Sequence, residues 1–223
     1  MGPGSGVRNL VLVGGGGHAS DVLHTIEAVN ARQPTYRVLG ILADDEIDRR
    51  RFRGRDMERI GTVDDVGSID AAYVLCIGWP WARRAVAERI GDGARPAPAI
   101  VDPRADVGAG VALGPGSVVL GQAHVSPMAS LGPHSLVSYN VSVGHDTVFG
   151  AFASVMPNAA VSGDVVAGDE VLVGTGAAVL QGIRLGHRVR VGAGAAVVSD
   201  VADGLTVVGV PARPAGSDQP SAV

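Results

Sequence analysis

His145 and Asp146 stand side by side in the run Val143-Gly-His-Asp-Thr-Val148. A carboxylate next to an imidazole orients the ring and stabilises its protonated form, which suits a general base near neutral pH. A second stretch reads as a phosphate site. The apolar run Asn9–Val13 leads into Gly14-Gly-Gly-Gly17 and then His18, Ala19 and Ser20, which open an amphipathic segment. A strand, glycines and a helix start, in that order, let backbone N–H groups meet a phosphate at the positive end of the helix dipole. Gly14-x-Gly16-x-x-Ala19 is a loose form of the dinucleotide fingerprint. Asp44 and Asp45 follow the next apolar run, where a ribose or base contact falls. A tight turn without a ligand would carry the same residues, and the remaining sequence offers no hydride-transfer domain.

The elements that must position His145 follow a period of six. From Val101 to Val197 an apolar residue returns at every sixth position, seventeen times; Ala167 is the small one and Phe149 the aromatic one. The position four residues later is restricted as well, from Ala105 and Val111 through Ala195 and Val201. Six fits neither a helix nor a plain hairpin sheet, but it fits a solenoid of hexapeptide repeats. Each hexapeptide predicts one short strand and one turn, with its first and fifth residues inward. Gly follows the apolar residue in nine of the seventeen hexapeptides and is expected to take the strained turn backbone. Three hexapeptides make a triangular coil, and five to six coils at about 4.8 Å each stack to roughly 27 Å. An ordinary sandwich would need loops of varied length and would break the register.

The register also sorts the histidines. His124, His134, His145 and His187 take the sixth, fourth, third and third positions of their hexapeptides. His145 and His187 are seven hexapeptides apart and fall on different faces, so no zinc triad converges within one chain and no metal is expected. His145-Asp146 is left as an outward-facing pair on a plain coil.

Residues 1–98 predict a Rossmann-like α/β domain that precedes the β-helix at 99–212. Its strands are Asn9–Val13, Tyr36–Leu42 and Ala72–Ile77, and its helices run from His18 to about Ala31 and from Ala82 to Ile90. Residues 213–223 read as a disordered tail. The basic run Arg49–Arg55 reads as a solvated loop, and Trp79 and Trp81 as caps on a domain interface. Cys76 is the single cysteine and cannot form an internal disulfide, and its place in a buried strand argues against a catalytic thiol. A net charge of −4 gives no sign of nucleic-acid binding. With no long apolar run and no signal-like start, a cytoplasmic protein away from membranes is expected.

These pieces together resemble the sugar O- and N-acyltransferases of the sialic-acid O-acetyltransferase type, which include bacterial UDP- and GDP-amino-sugar N-acetyltransferases. The resemblance rests on Leu10-Val-Leu-Val-Gly-Gly-Gly-Gly-His18-Ala, Leu42-Ala-Asp44-Asp45, Cys76-Ile-Gly78, Tyr139-Asn-Val-Ser-Val-Gly-His145-Asp146 and Val208-Gly-Val-Pro211-Ala. It implies a left-handed parallel β-helix, a homotrimer, and acetyl-CoA as co-substrate between adjacent solenoids. It implies His145 as general base, Asp146 as its tuning carboxylate, and the Gly163 backbone N–H as oxyanion donor. Ser154, Thr175 and Ala193 would meet the cofactor, Ser154 standing where some relatives carry a second histidine. Gly17, His18, Ala19, Ser20, Asp44, Asp45, Gly78, Ser138 and Asn140 would meet a nucleotide-sugar. Two other functions compete: a non-catalytic nucleotide-sugar-binding scaffold, and an O-acetyltransferase for another small metabolite. The helical N-terminal domain usual in that last class is absent from this pattern.

Overall fold

A computed structural model describes residues 6–215. Its first part is a parallel sheet of β1 (Arg8–Val13), β2 (Tyr36–Leu42), β3 (Arg59–Gly61), β4 (Ala72–Leu75) and β5 (Arg95–Pro96) in the order β3-β2-β1-β4-β5. Helices α1 (Gly17–Arg32) and α2 (Pro80–Ile90) connect the strands. The chain winds outward from β1 in one direction and then from β4 in the other. The glycine loop after β1 therefore opens at the point where strand order reverses, the usual crevice of such sheets. The short strand β3 and the 3-10 turns Arg49–Phe52 and Val63–Ser68 have no counterpart in the sequence pattern. Their apolar residues are too few to show a period.

The hexapeptides fold as the period requires. Seventeen two-residue strands, β6 (Ile100–Val101) through β22 (Ala196–Val197), appear once every six residues. Each pairs in parallel with the strand eighteen residues away, as Val125 with Val143 and Val143 with Val161. Three faces result, meeting at three corners. Face one holds the strands ending at Val101, Val119, Val137, Val155, Val173 and Val191. Face two holds those from Val107 to Val197, and face three those from Leu113 to Leu185. The inward residues form one continuous core from Val119 to Val207.

The glycines do a different job from the one expected. Left-handed backbone falls at the fourth position, where ten non-glycine residues from Gln122 (φ 62°) to Arg188 (φ 58°) adopt it. The glycine after the apolar residue instead lets one coil lie against the next: a Cβ on Gly132 would sit 2.6 Å from the Ala151 nitrogen. Gly132→Ala must push two backbones apart and is expected to cost about 1–3 kcal/mol. Thermal unfolding with an unchanged midpoint would contradict that.

The first part covers face one. Five of its six outward residues, Ile100, Val118, Leu136, Ser154 and Leu172, are 4% exposed or less, and the sixth, Arg190, is half-buried. Faces two and three instead present Asp106, His124, Ser142 and Ala160, and Val148 and Val166, to the surface. Arg83 locks the joint. Its guanidinium, 2% exposed, donates to the carbonyls of Ile77 (2.6 Å), Gly78 (3.0 Å), His134 (2.8 Å), Phe152 (2.8 Å) and Ala153 (3.0 Å) and to Ser154 Oγ (2.8 Å). Burial pulls its pKa down to about 9, so it stays charged at neutral pH. Trp81 stacks on Trp79 at 5.3 Å and lies under Arg190 at 4.3 Å, which places the tryptophans as caps on this joint. The tail expectation needs correcting at its start. Arg213–Pro214 pairs antiparallel with β23 (Thr206–Val208) and covers the open last coil; positions 216–223 lie outside the described residues.

His134 is part of the same joint. Its ring lies between Tyr73 (5.9 Å) and Phe152 (5.1 Å), and its Nδ1 has no partner. Burial, helped by the Arg83 charge, pushes its pKa down from 6.5 to about 4. The unfolded chain then binds more protons than the folded one between those two values, so stability falls as pH drops through that window. The expected loss approaches about 3 kcal/mol by its lower end. His134→Phe keeps the stack without a titrating ring and should unfold with a flatter pH dependence; equal slopes would clear His134.

Candidate active site

His145 projects from the corner between faces two and three, 55% exposed. Its Nδ1 lies 2.8 Å from Asp146 Oδ2. A carboxylate only accepts, so Nδ1 carries the proton and Nε2 presents a lone pair outward. The hydrogen bond to Asp146 raises the His145 pKa above 6.5, and the Asp164 charge adds to it. Asp164 is the residue sequence reading missed. It stands eighteen positions after Asp146, one coil further along the same corner, held by Gln181 Nε2 at 2.9 Å. The eighteen-residue stacking was the signal that could have found it. His145, Asp146 and Asp164 bring ligand atoms within 4.8 Å of one another, the only such trio among the described residues.

Gly163 stacks on His145 one coil away. A Cβ there would lie 2.5 Å from His145 Nε2, so glycine is what leaves room for the ring. Thr175 and Ala193 stack on each other at the corner between faces one and two, with Gly194 N–H donating to Thr175 O at 2.9 Å. Among the described residues no backbone carbonyl accepts from the N–H groups of Gly163, Thr175 or Ala193. Thr175 and Ala193 are exposed, whereas Gly163 is buried beneath the His145 ring.

The glycine loop, Asp44, Asp45 and Arg51 line a cleft of about 400 Å³. Asp45 is exposed, but the Asp44 carboxylate is held by Arg89 at 2.6 and 3.2 Å, a hydrogen bond that lowers its pKa. The basic run is not simply solvated. Phe52 is buried, Arg55 bonds Glu27 (2.9 Å) and Ser20 Oγ (3.1 Å), and Ser20 Oγ donates to Arg51 O at 3.0 Å. Gly17 is exposed at the first turn of α1, beside the Arg51 guanidinium, while the Ala19 side chain is fully buried. His18 Nδ1 lies 3.9 Å from Asp21, whose other oxygen accepts from Tyr139 OH at 3.3 Å. This link brings the α1 start to the corner that carries Ser138 and Asn140. Ser138 is buried there and Asn140 exposed. Asn140 and His145 stand on adjacent corners, up to about 17 Å apart for five extended residues.

Neither a protein-family model nor a curated protein sequence matches the chain. Solved structures do. The acetyltransferase domain of PglB from Neisseria gonorrhoeae FA1090, in complex with acetyl coenzyme A, is 30% identical, with a TM-score of 0.83 over 94% of this chain and 100% of that one. A point mutant of perosamine N-acetyltransferase from Caulobacter crescentus, in complex with CoA and GDP-perosamine, is 26% identical, with a TM-score of 0.85 over 95% and 99%. The chain belongs to the sugar acyltransferase family. WeeI from Acinetobacter baumannii AYE, 22% identical with a TM-score of 0.78 over 92% and 99%, shares the fold.

Within this family frame, two expected site residues turn out to serve the joint. Ser154 is fully buried, donates to Gly78 O at 2.8 Å and accepts from Arg83. Its hydroxyl is spent on the joint and has no surface to offer a cofactor. The Gly78 carbonyl is likewise occupied by Arg83 and Ser154. Cys76 is buried, and burial raises its thiol pKa far above the ordinary value, so it is no nucleophile. No helix of the described residues is long and apolar enough to cross a membrane.

Proposed function

We propose that the protein transfers an acetyl group from acetyl-CoA to the amine of a nucleotide-linked sugar, within the sialic-acid O-acetyltransferase type of the family. The observation that carries this reading is the outward Nε2 of His145, oriented by Asp146 and stacked against Gly163, on a chain whose relatives hold acetyl-CoA or CoA with GDP-perosamine. Residues 1–98 form a Rossmann-like domain that holds the nucleotide in the cleft after β1 and β2. Residues 99–212 form a left-handed β-helix that holds acetyl-CoA along Thr175 and Ala193.

The amine approaches the thioester carbonyl while His145 Nε2 takes its proton. The C–N bond forms, the C–S bond breaks, and the CoA thiolate leaves and is protonated. A base of this kind contributes about 10²–10⁴-fold. The Gly163 N–H meets the oxygen of the tetrahedral intermediate, worth a few kcal/mol on the scale of other oxyanion donors. The α1 start and His145 stand on different corners of one chain, and in this reading the acceptor held by one copy would meet the base of the next. A homotrimer with acetyl-CoA between neighbouring solenoids provides that pairing.

Titration calorimetry with acetyl-CoA, followed by mass analysis of a nucleotide-amino-sugar panel after incubation, tests the reading. A binding isotherm and one acetylated product are expected. Binding of nucleotide-sugar without any affinity for acetyl-CoA would favour the scaffold role instead.

A further inference from the structure

A second chain of polar residues runs along face two toward His145. Asp106 Oδ2 lies 2.9 Å from His124 Nδ1, and His124 Nε2 lies 3.1 Å from Ser126 Oγ. Nothing in the mechanism above uses it. We propose that Ser126, held by His124 and Asp106, is a specificity-determining residue that recognises the acceptor sugar beside His145; this rests on the acyltransferase reading.

The placement follows from the coil register. Ser126 stands eighteen residues before Gly144, and its N–H donates to Val143 O at 2.9 Å. The next residue, Pro127, stacks on His145, and its carbonyl accepts from Asp146 N–H at 3.3 Å. Ser126 is therefore about 4.8 Å, one coil, from the loop that carries the base. It also lies on the side of that base away from Thr175 and Ala193. The first part reaches coils on both sides of His145, from His24 with Arg104 at 3.1 Å to Trp81 under Arg190, and its helix α1, which follows the glycine loop, meets Arg104 and Tyr139. Thr175 and Ala193, the acetyl-CoA positions, lie on later coils than His145. A sugar that meets His145 on the side away from those positions lies beside Ser126.

The hydrogen-bond polarity says what Ser126 reads. Asp106 only accepts, so His124 Nδ1 carries the proton and Nε2 accepts from Ser126 O–H. That spends the only proton on Oγ and leaves its lone pairs for a donor, such as a sugar hydroxyl. The order Asp–His–Ser is also that of a serine nucleophile, but oxyanion donors are missing. The Ser126 N–H is taken by Val143 O, and the following residue is a proline with no N–H.

The test compares Ser126→Ala, His124→Ala, the double variant and Ser126→Thr with the full-length parent. Acetyl-CoA is the donor, and the acceptors are a nucleotide-amino-sugar panel that includes GDP-perosamine. Losing one hydrogen bond to the sugar should raise the acceptor KM about tenfold, with kcat and the acetyl-CoA KM within about twofold. The double variant should be no worse than Ser126→Ala, and Ser126→Thr, which keeps the hydroxyl, should recover most of the loss. An unchanged acceptor KM in Ser126→Ala, a loss that falls on acetyl-CoA, or an acetyl adduct on Ser126 would each overturn the proposal while the acyltransferase reading stands. A parent protein that acetylates nothing and binds no acetyl-CoA would overturn both.

Discussion

His145→Ala is expected to lower kcat by at least about 10²-fold while acetyl-CoA still binds. The side chain is exposed at a corner and holds no part of the core, so the variant should fold and bind as the parent does. What it loses is the proton acceptor at Nε2, a group needed only as the new bond forms. The pH dependence adds a second reading of the same residue. The base works only when neutral, and Asp146 and Asp164 hold its pKa above 6.5. Activity should therefore fall on the acid side from a higher pH than an isolated histidine would give. Asp146→Asn removes the larger of the two causes and should move that limb to lower pH. Its kcat should also drop, because the ring loses its orientation. Near-parental kcat in His145→Ala would take the residue out of the mechanism.

Arg83→Met is expected to produce the largest stability loss, at least about 3–5 kcal/mol. Methionine fills much of the same volume but donates nothing. Ala153 O keeps a second donor in Leu136 N–H at 2.8 Å, whereas Ser154 Oγ loses the guanidinium it accepts from, and other carbonyls at the joint lose theirs. Arg83→Lys keeps the charge without the fork and should fall between the two, since an ammonium cannot span acceptors on both sides of the joint. Urea unfolding of the three proteins measures this. Arg83→Met within about 1 kcal/mol of the parent would mean that water replaces the guanidinium at little cost. If the joint also sets where the Gly78 loop lies, the acceptor KM will rise in Arg83→Lys, where folding survives.

The coil was readable from residue order because its contacts repeat. An apolar residue every sixth position can be buried in only one register, so strand positions, the three faces and the outward pair His145-Asp146 follow from local spacing. Asp164 follows too once the eighteen-residue step is applied. The strand–glycine–helix start was readable for the same reason: its pieces are contiguous. The glycine role was misjudged, since the period shows where glycine recurs but not whether it serves a left-handed turn or a close backbone approach. The joint was beyond reach altogether. Arg83 meets Ser154 across seventy-one residues and His134 across fifty-one, and no local pattern marks either pair. Resemblance alone put Ser154 at the cofactor. Burial put it under Arg83, because once face one was covered by the first part every polar group on it needed a partner from across the joint. Local periodicity thus decides backbone register, while the spending of each polar side chain depends on which surfaces meet.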